Sequence, residues 1–110
     1  MNITLTTRHC EIDSETAARA RARTARLERF ESRITAAELT FQEERHLKRV
    51  EGVIAVSGSP SVVAHGEGAG FTEALDQMLD RMERILRKRR TRRRDHRGPG
   101  AGGLPKVDSV

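Results

Sequence analysis

The sequence has no tryptophan and no tyrosine, and its 110 residues include only three phenylalanines and one cysteine. A lone cysteine, Cys10, excludes an internal disulfide and suits a reducing compartment. The scarcity of aromatics leaves a thin core of Ala, Val, Leu and Ile. It also removes the stacking platforms on which single-strand nucleic-acid binders rely. No apolar run approaches the roughly 20 residues that a membrane span requires. The opening Met1-Asn2-Ile3-Thr4 lacks the basic region and apolar stretch of a signal peptide. The expected organisation is one cytoplasmic domain, residues 1–95, followed by a disordered Gly/Pro-containing tail, 96–110.

What is abundant is charge, at 34% of residues against about a quarter in ordinary domains. The charge is unevenly placed. Between Arg81 and Arg97 stand ten basic residues and two acids, Glu83 and Asp95, while the rest of the chain holds 11 basic and 14 acidic residues. Solubility is served by interspersed charges of both signs. A concentrated cationic element on a mildly acidic body points instead to a polyanionic partner, nucleic acid first.

Hydrophobic periodicity predicts the element order β-α-β-β-β-α. Ile3 and Leu5 alternate with threonines in a first strand, and Asp13 or Ser14 caps a helix expected to run to about Arg33. A period of two returns at Ala37, Leu39 and Phe41. The charged segment from Glu43 to Glu51 reads as a strand end plus a loop. Val53–Val56 and Ser61–Ala64 are two further strands about the turn Ser57-Gly58-Ser59-Pro60, and Gly66 to Gly70 reads as a break. Phe71, Ala74, Leu75, Met78, Leu79, Met82, Ile85 and Leu86 then give the strongest helical pattern in the chain, and the helix overhangs the core from about Arg87. The expected fold is α+β, in two layers, with two helices on one face of a four-stranded sheet.

At ~100° per residue, Arg81, Arg84, Lys88 and Arg92 form a stripe along one edge of the second helix. Arg19, Arg23 and Arg26 do the same on the first. If the helices lie side by side, both stripes are positioned to border one groove. Arginine favours bidentate phosphate contacts, so recognition through phosphate, sugar and shape is expected. Catalytic chemistry is not. His9 and Cys10 are adjacent and point apart on a strand, the other histidines are isolated, and nothing in the sequence supplies Cys10 with the oriented base a nucleophile needs. Gly66 to Gly70 lacks both the GxGxxG pattern and the Walker lysine. The expectation is therefore a non-enzyme with no cofactor and no metal.

Several short motifs, in order, resemble the short ribosome hibernation promoting factors and ribosome-associated translation inhibitors. They are Asn2-Ile3-Thr4, Glu11-Ile12, Arg26-Leu27-Glu28, Glu67-Gly68, Ala74-Leu75-Asp76, Asp80-Arg81-Met82, and Arg84 with Leu86 and Lys88. The resemblance spans about residues 2 to 92. It implies a fold like a double-stranded RNA-binding domain and binding to rRNA of the small ribosomal subunit in the mRNA/tRNA channel. Such binding would inhibit translation and preserve idle ribosomes under stress or in stationary phase. By position it implies rRNA contact by Arg23, Arg26, Arg81, Arg84 and Lys88; Arg8 matches a basic position in some members only. The implied partner is the small ribosomal subunit with its rRNA, with no membrane and no small-molecule substrate, and the chain is expected to be monomeric off the ribosome. A general double-stranded RNA-binding or RNA-chaperone module is the competing expectation. A regulator acting through protein contacts, with an incidental basic tail, is a third.

Overall fold

A computed structural model of the chain describes residues 1–97, with side chains through Thr91. The tail expected over 96–110 lies almost wholly outside the described residues. The elements are β1 (Asn2–Arg8), α1 (Ser14–Ala25), a 3₁₀ turn (Arg26–Arg29), β2 (Ile34–Glu44), β3 (Leu47–Val56), β4 (Val62–Gly68) and α2 (Phe71–Arg97). The sheet order is β1-β2-β3-β4. β1 runs parallel to β2 through the α1 crossover, and the other neighbours are antiparallel. This is the α+β arrangement that the periodicity predicts.

One face of the sheet is apolar and carries both helices. Leu39 and Phe41 of β2, Val50 and Ile54 of β3 and Val62 and Ala64 of β4 point into the core, where they meet Ala20 and Leu27 of the α1 region and Ala74, Leu75, Met78, Met82 and Leu86 of α2. Alternate strand positions (Glu38, Gln42, Arg49, Glu67) fall on the opposite, helix-free face. Phe41 and Phe71 meet edge to face at 5.6 Å, and Lys48 Nζ lies 5.4 Å above the Phe71 ring. These contacts pin the start of α2 to the sheet.

Three boundaries differ from the sequence expectation. First, α1 ends at Ala25, not near Arg33. After the 3₁₀ turn, buried Glu31 accepts hydrogen bonds from the Arg33 backbone N–H at 3.0 Å and from Arg33 Nε at 3.2 Å, which turns the chain so that β-branched Ile34 opens β2. Second, the charged stretch from Glu43 to Glu51 is a strand pair, not a loop. Arg45 takes a left-handed φ of 59° in a tight turn at Arg45-His46, and the charges pair across the strands, with Lys48 Nζ 2.6 Å from Glu43. Third, Gly66 and Gly68 lie within β4. The backbone of α2 presses against this strand: a β-carbon at Gly66 would stand 2.2 Å from the Ala74 carbonyl oxygen and 2.6 Å from the Met78 nitrogen.

The helix termini and sheet edges have local partners. Asp13 caps α1 by accepting from the Thr16 N–H at 2.7 Å, and hydrogen bonds from Thr16 hold its carboxyl below the ordinary range. The cap is accordingly present at neutral pH and is lost as pH falls through that lowered value. At α2, which lacks an Asp or Ser at its start, Glu73 reaches back to accept from Ala69 N–H at 2.9 Å. The edge strand β1 is covered by Arg21, which donates to Ile3 O, and the edge strand β4 by Gln77, which accepts from Glu67 N–H.

Three core positions give testable outcomes. Gly66→Ala should destabilise the protein by about 2–3 kcal/mol, because backbone atoms of α2 cannot yield to the new methyl group. At Gly52 a β-carbon would meet the Met78 sulfur at 2.7 Å, a flexible side chain, so Gly52→Ala should cost about half as much. In contrast, the buried Thr24 hydroxyl has no hydrogen-bond partner, and Thr24→Val should raise stability by about 0.5–1 kcal/mol. Urea unfolding of the three variants beside the parent chain measures all three values.

Candidate nucleic-acid interface

The direction of each cation follows from how the helices sit. Arg23 of α1 forms an ion pair with Asp76 of α2, and the Arg87 guanidinium lies 4.9 Å above the ring of Phe30. Later residues of the α1 region thus meet later residues of α2, so the two helices run in the same direction across the sheet. On α2 the flank turned to α1 carries Asp76, Glu83 and Arg87, and Arg87 pairs with Glu83 at 2.9 Å. The opposite flank, where Arg81 and Lys88 stand, is turned to β4: Arg81 Nη1 donates to His65 O at 2.7 Å.

The two arginine stripes therefore do not face one another across one groove. The α1 stripe of Arg19, Arg23 and Arg26 looks toward the acidic flank of α2, while Arg81, Arg84 and Lys88 of the α2 stripe lie on the outer and β4 sides. The reason is the phase of the apolar seam. With Met78 and Met82 seated on the sheet, positions 76 and 83 must fall on the α1 side and positions 81 and 88 on the other.

The structure also divides the expected site residues by what they already hold. Arg23 is committed to Asp76, and Arg81 to a strand-edge carbonyl. Arg84 lies 3.4 Å from Asp80, a pair with both side chains about two-thirds or more exposed, at 74% and 66%. Such a pair is worth little in water and leaves the guanidinium available. Arg19, Arg26 and Lys88 are exposed and have no ion-pair or hydrogen-bond partner among the described residues. Arg92 lies within α2, and its side chain falls outside what the structure describes. The basic run from Arg87 onward opens with two engaged arginines, Arg87 on Glu83 and Arg89 on the carbonyls of Pro60 and Ser61. Arg29 and Arg90, which belong to neither stripe, are exposed and unpaired among the described residues.

A cationic end results. The Arg87–Phe30 contact sets the 3₁₀ turn after α1 beside the late turns of α2, so Arg26 and Arg29 stand toward the same end of the helix layer as Lys88 and Arg90, with Lys88 on the flank turned to β4. The helix-free face has a different character: a hollow of about 290 Å³ there is lined by Arg8, Thr40, Gln42, Glu44, Arg49 and Glu51, two cations against two acids. Cys10 is half-buried, with its Sγ donating to Phe41 O at 3.3 Å. Among the described residues no three His, Cys, Asp or Glu side chains converge as metal ligands would, and no helix is long and apolar enough to cross a membrane.

Solved structures share this architecture. A ribosomal subunit interface protein from Coxiella burnetii superposes with a TM-score of 0.77 at 19% identity, over 83% of this chain and 99% of the other. The N-terminal domain of Thermus thermophilus Protein Y superposes with a TM-score of 0.72 at 26% identity, over 80% of this chain and 98% of the other. No curated protein sequence matches the chain. Residues 3–94 match the family described as sigma 54 modulation protein / S30EA ribosomal protein. With that match spanning most of its length, the chain belongs to the sigma 54 modulation / S30EA family, the family of the hibernation promoting factors.

Proposed function

We propose that this protein is a ribosome hibernation factor that occupies the mRNA/tRNA channel of the small subunit through rRNA contacts. By filling that channel it inhibits translation and preserves idle ribosomes in the cytoplasm under stress or in stationary phase. Family membership supports ribosome association as such. The finer reading is carried by one observation: exposed cations at one end of the helix layer, Arg26, Lys88 and Arg90, have no acid partner among the described residues. Exposed cations with no acid partner are available to a polyphosphate surface, whose charge they would neutralise.

Contact is assigned first to Arg26, Arg84 and Lys88, with Arg19 and Arg92 extending the surface. Arg23 and Arg81 serve the site chiefly by holding α2 between α1 and β4. No catalytic step is involved: the protein acts by occupying space and by neutralising phosphate charge, released counterions supplying much of the affinity.

Ribosome pelleting tests this assignment. Arg26→Glu combined with Lys88→Glu should weaken binding at least about tenfold, since a cation that no longer neutralises a phosphate releases no counterions, with little change in melting temperature. Arg23→Glu should lower both affinity and melting temperature, because it leaves Asp76 facing a like charge. Affinity of the parent chain should fall about a hundredfold between 50 and 200 mM salt if four phosphates are contacted. Prebound mRNA and initiator tRNA should exclude the protein. A flat salt response would contradict the reading, and equal affinity for arbitrary RNA duplexes would replace it with a general RNA-binding module.

A further inference from the structure

Arg89 occupies a helical phase that belongs to the core. It follows Met78, Met82 and Leu86 along the seam of α2, and Leu86 is the last buried residue of that series. Here α2 leaves the sheet, yet the helix continues to Arg97, roughly 16 Å beyond Leu86. That continuation is unfavourable on its own terms. A segment of this length has little intrinsic helical stability, and arginine pairs four residues apart (Arg89 and Arg93, Arg90 and Arg94, Arg93 and Arg97) repel. Some contact has to hold the helix where packing stops.

The half-buried Arg89 supplies it. Its Nη1 donates to Pro60 O at 2.6 Å and its Nη2 to Ser61 O at 3.4 Å. Both carbonyls belong to the connection between β3 and β4, where the chain enters β4. The planar fork of the guanidinium spans two consecutive carbonyls, which a point-like ammonium does poorly. The Ser57-Gly58-Ser59-Pro60 turn, with Gly58 at φ 73°, presents those carbonyls to the helix.

We propose that Arg89 is a positioning residue: by clamping α2 to the β3–β4 connection it fixes the direction of the cationic segment 90–97, and it does not itself contact the polyanion. The clamp stands on the geometry alone, and its consequence for affinity rests on the ribosome-binding reading above. The segment delivered is a helix with five arginines among its eight residues, 90, 92, 93, 94 and 97. A helix held in one direction loses less entropy on binding than a free tail of the same charge.

Two variants of the full chain separate position from charge. Arg89→Lys keeps the cation and removes the fork. Replacing residues 57–60 by Asn-Gly keeps every cation and, by shortening the connection by two residues, moves the carbonyls that Arg89 spans. In ¹⁵N relaxation, residues 90–97 of the parent should tumble with the domain, whereas both variants should show nanosecond motion there, with β1 to β4 unchanged. Ribosome pelleting should weaken about five- to tenfold in both, the factor expected when a charged hydrogen bond no longer holds the binding conformation. Relaxation identical to the parent in both variants overturns the clamp. Loosened segments with parental ribosome affinity overturn its role in binding. A third variant, Arg89→Gln, removes the charge as well; weakened binding in it beside parental behaviour of Arg89→Lys also overturns that role and would make Arg89 a charge contact. If the parent itself fails to pellet with ribosomes, the functional reading falls, and relaxation still decides the clamp.

Discussion

The close seating of α2 on β4, made possible where Gly66 offers no β-carbon, is the constraint from which the rest of the structure follows. With the Ala74 carbonyl and the Met78 nitrogen against that glycine, the rotation of α2 about its axis is fixed. Met78, Met82 and Leu86 then must enter the core, and each cation on the helix is assigned a direction it cannot change without unseating the seam. A one-residue slip would turn the apolar face by about 100° and bury arginines.

That rotation sorts the basic residues by role. The flank facing α1 is acidic and draws Arg23 into an ion pair, so the helix layer is held laterally. The flank facing β4 supplies Gln77, Arg81 and Arg89 to backbone groups along the sheet edge and its entry, protecting an edge strand that would otherwise be open to pairing. The helix-layer cations left over among the described residues include Arg26, Arg29, Lys88 and Arg90 toward its far end and Arg19 in the middle of α1. Charge density in sequence is thus a poor guide to contact: in the basic run from Arg81 to Arg90, Arg81, Arg87 and Arg89 are internal ties, while Lys88 and Arg90 have no partner among the described residues.

The element order, the α2 face and the Asp13 cap are all legible in the sequence, because period and capping are local signals. The Arg45-His46 turn is not, since it uses a left-handed arginine where a glycine or asparagine would have announced it. Gly66 and Gly68 look like a break in sequence because the reason for their small size, the approach of a helix some ten residues later, is tertiary. The relation of the two arginine stripes escapes the sequence for a similar cause. Helical phase gives a stripe's position on its own helix, but which flank meets the neighbouring helix depends on the sheet order, and this places β4 rather than α1 beside Arg81. The family resemblance is legible in the order of the short motifs, and the match over 3–94 bears the family out.

The central claim is that the cationic end of the helix layer, and not the helix-free sheet face, meets rRNA in the channel of the small subunit. Cryo-electron microscopy of ribosomes saturated with the full chain tests it most directly. The expected result is density for the domain in the mRNA/tRNA channel, with Arg26, Arg84 and Lys88 within reach of rRNA phosphates and the row of Gln42, Arg49 and Glu67 turned away. Density elsewhere on the ribosome, or the sheet face against rRNA with those three cations in solvent, would contradict it.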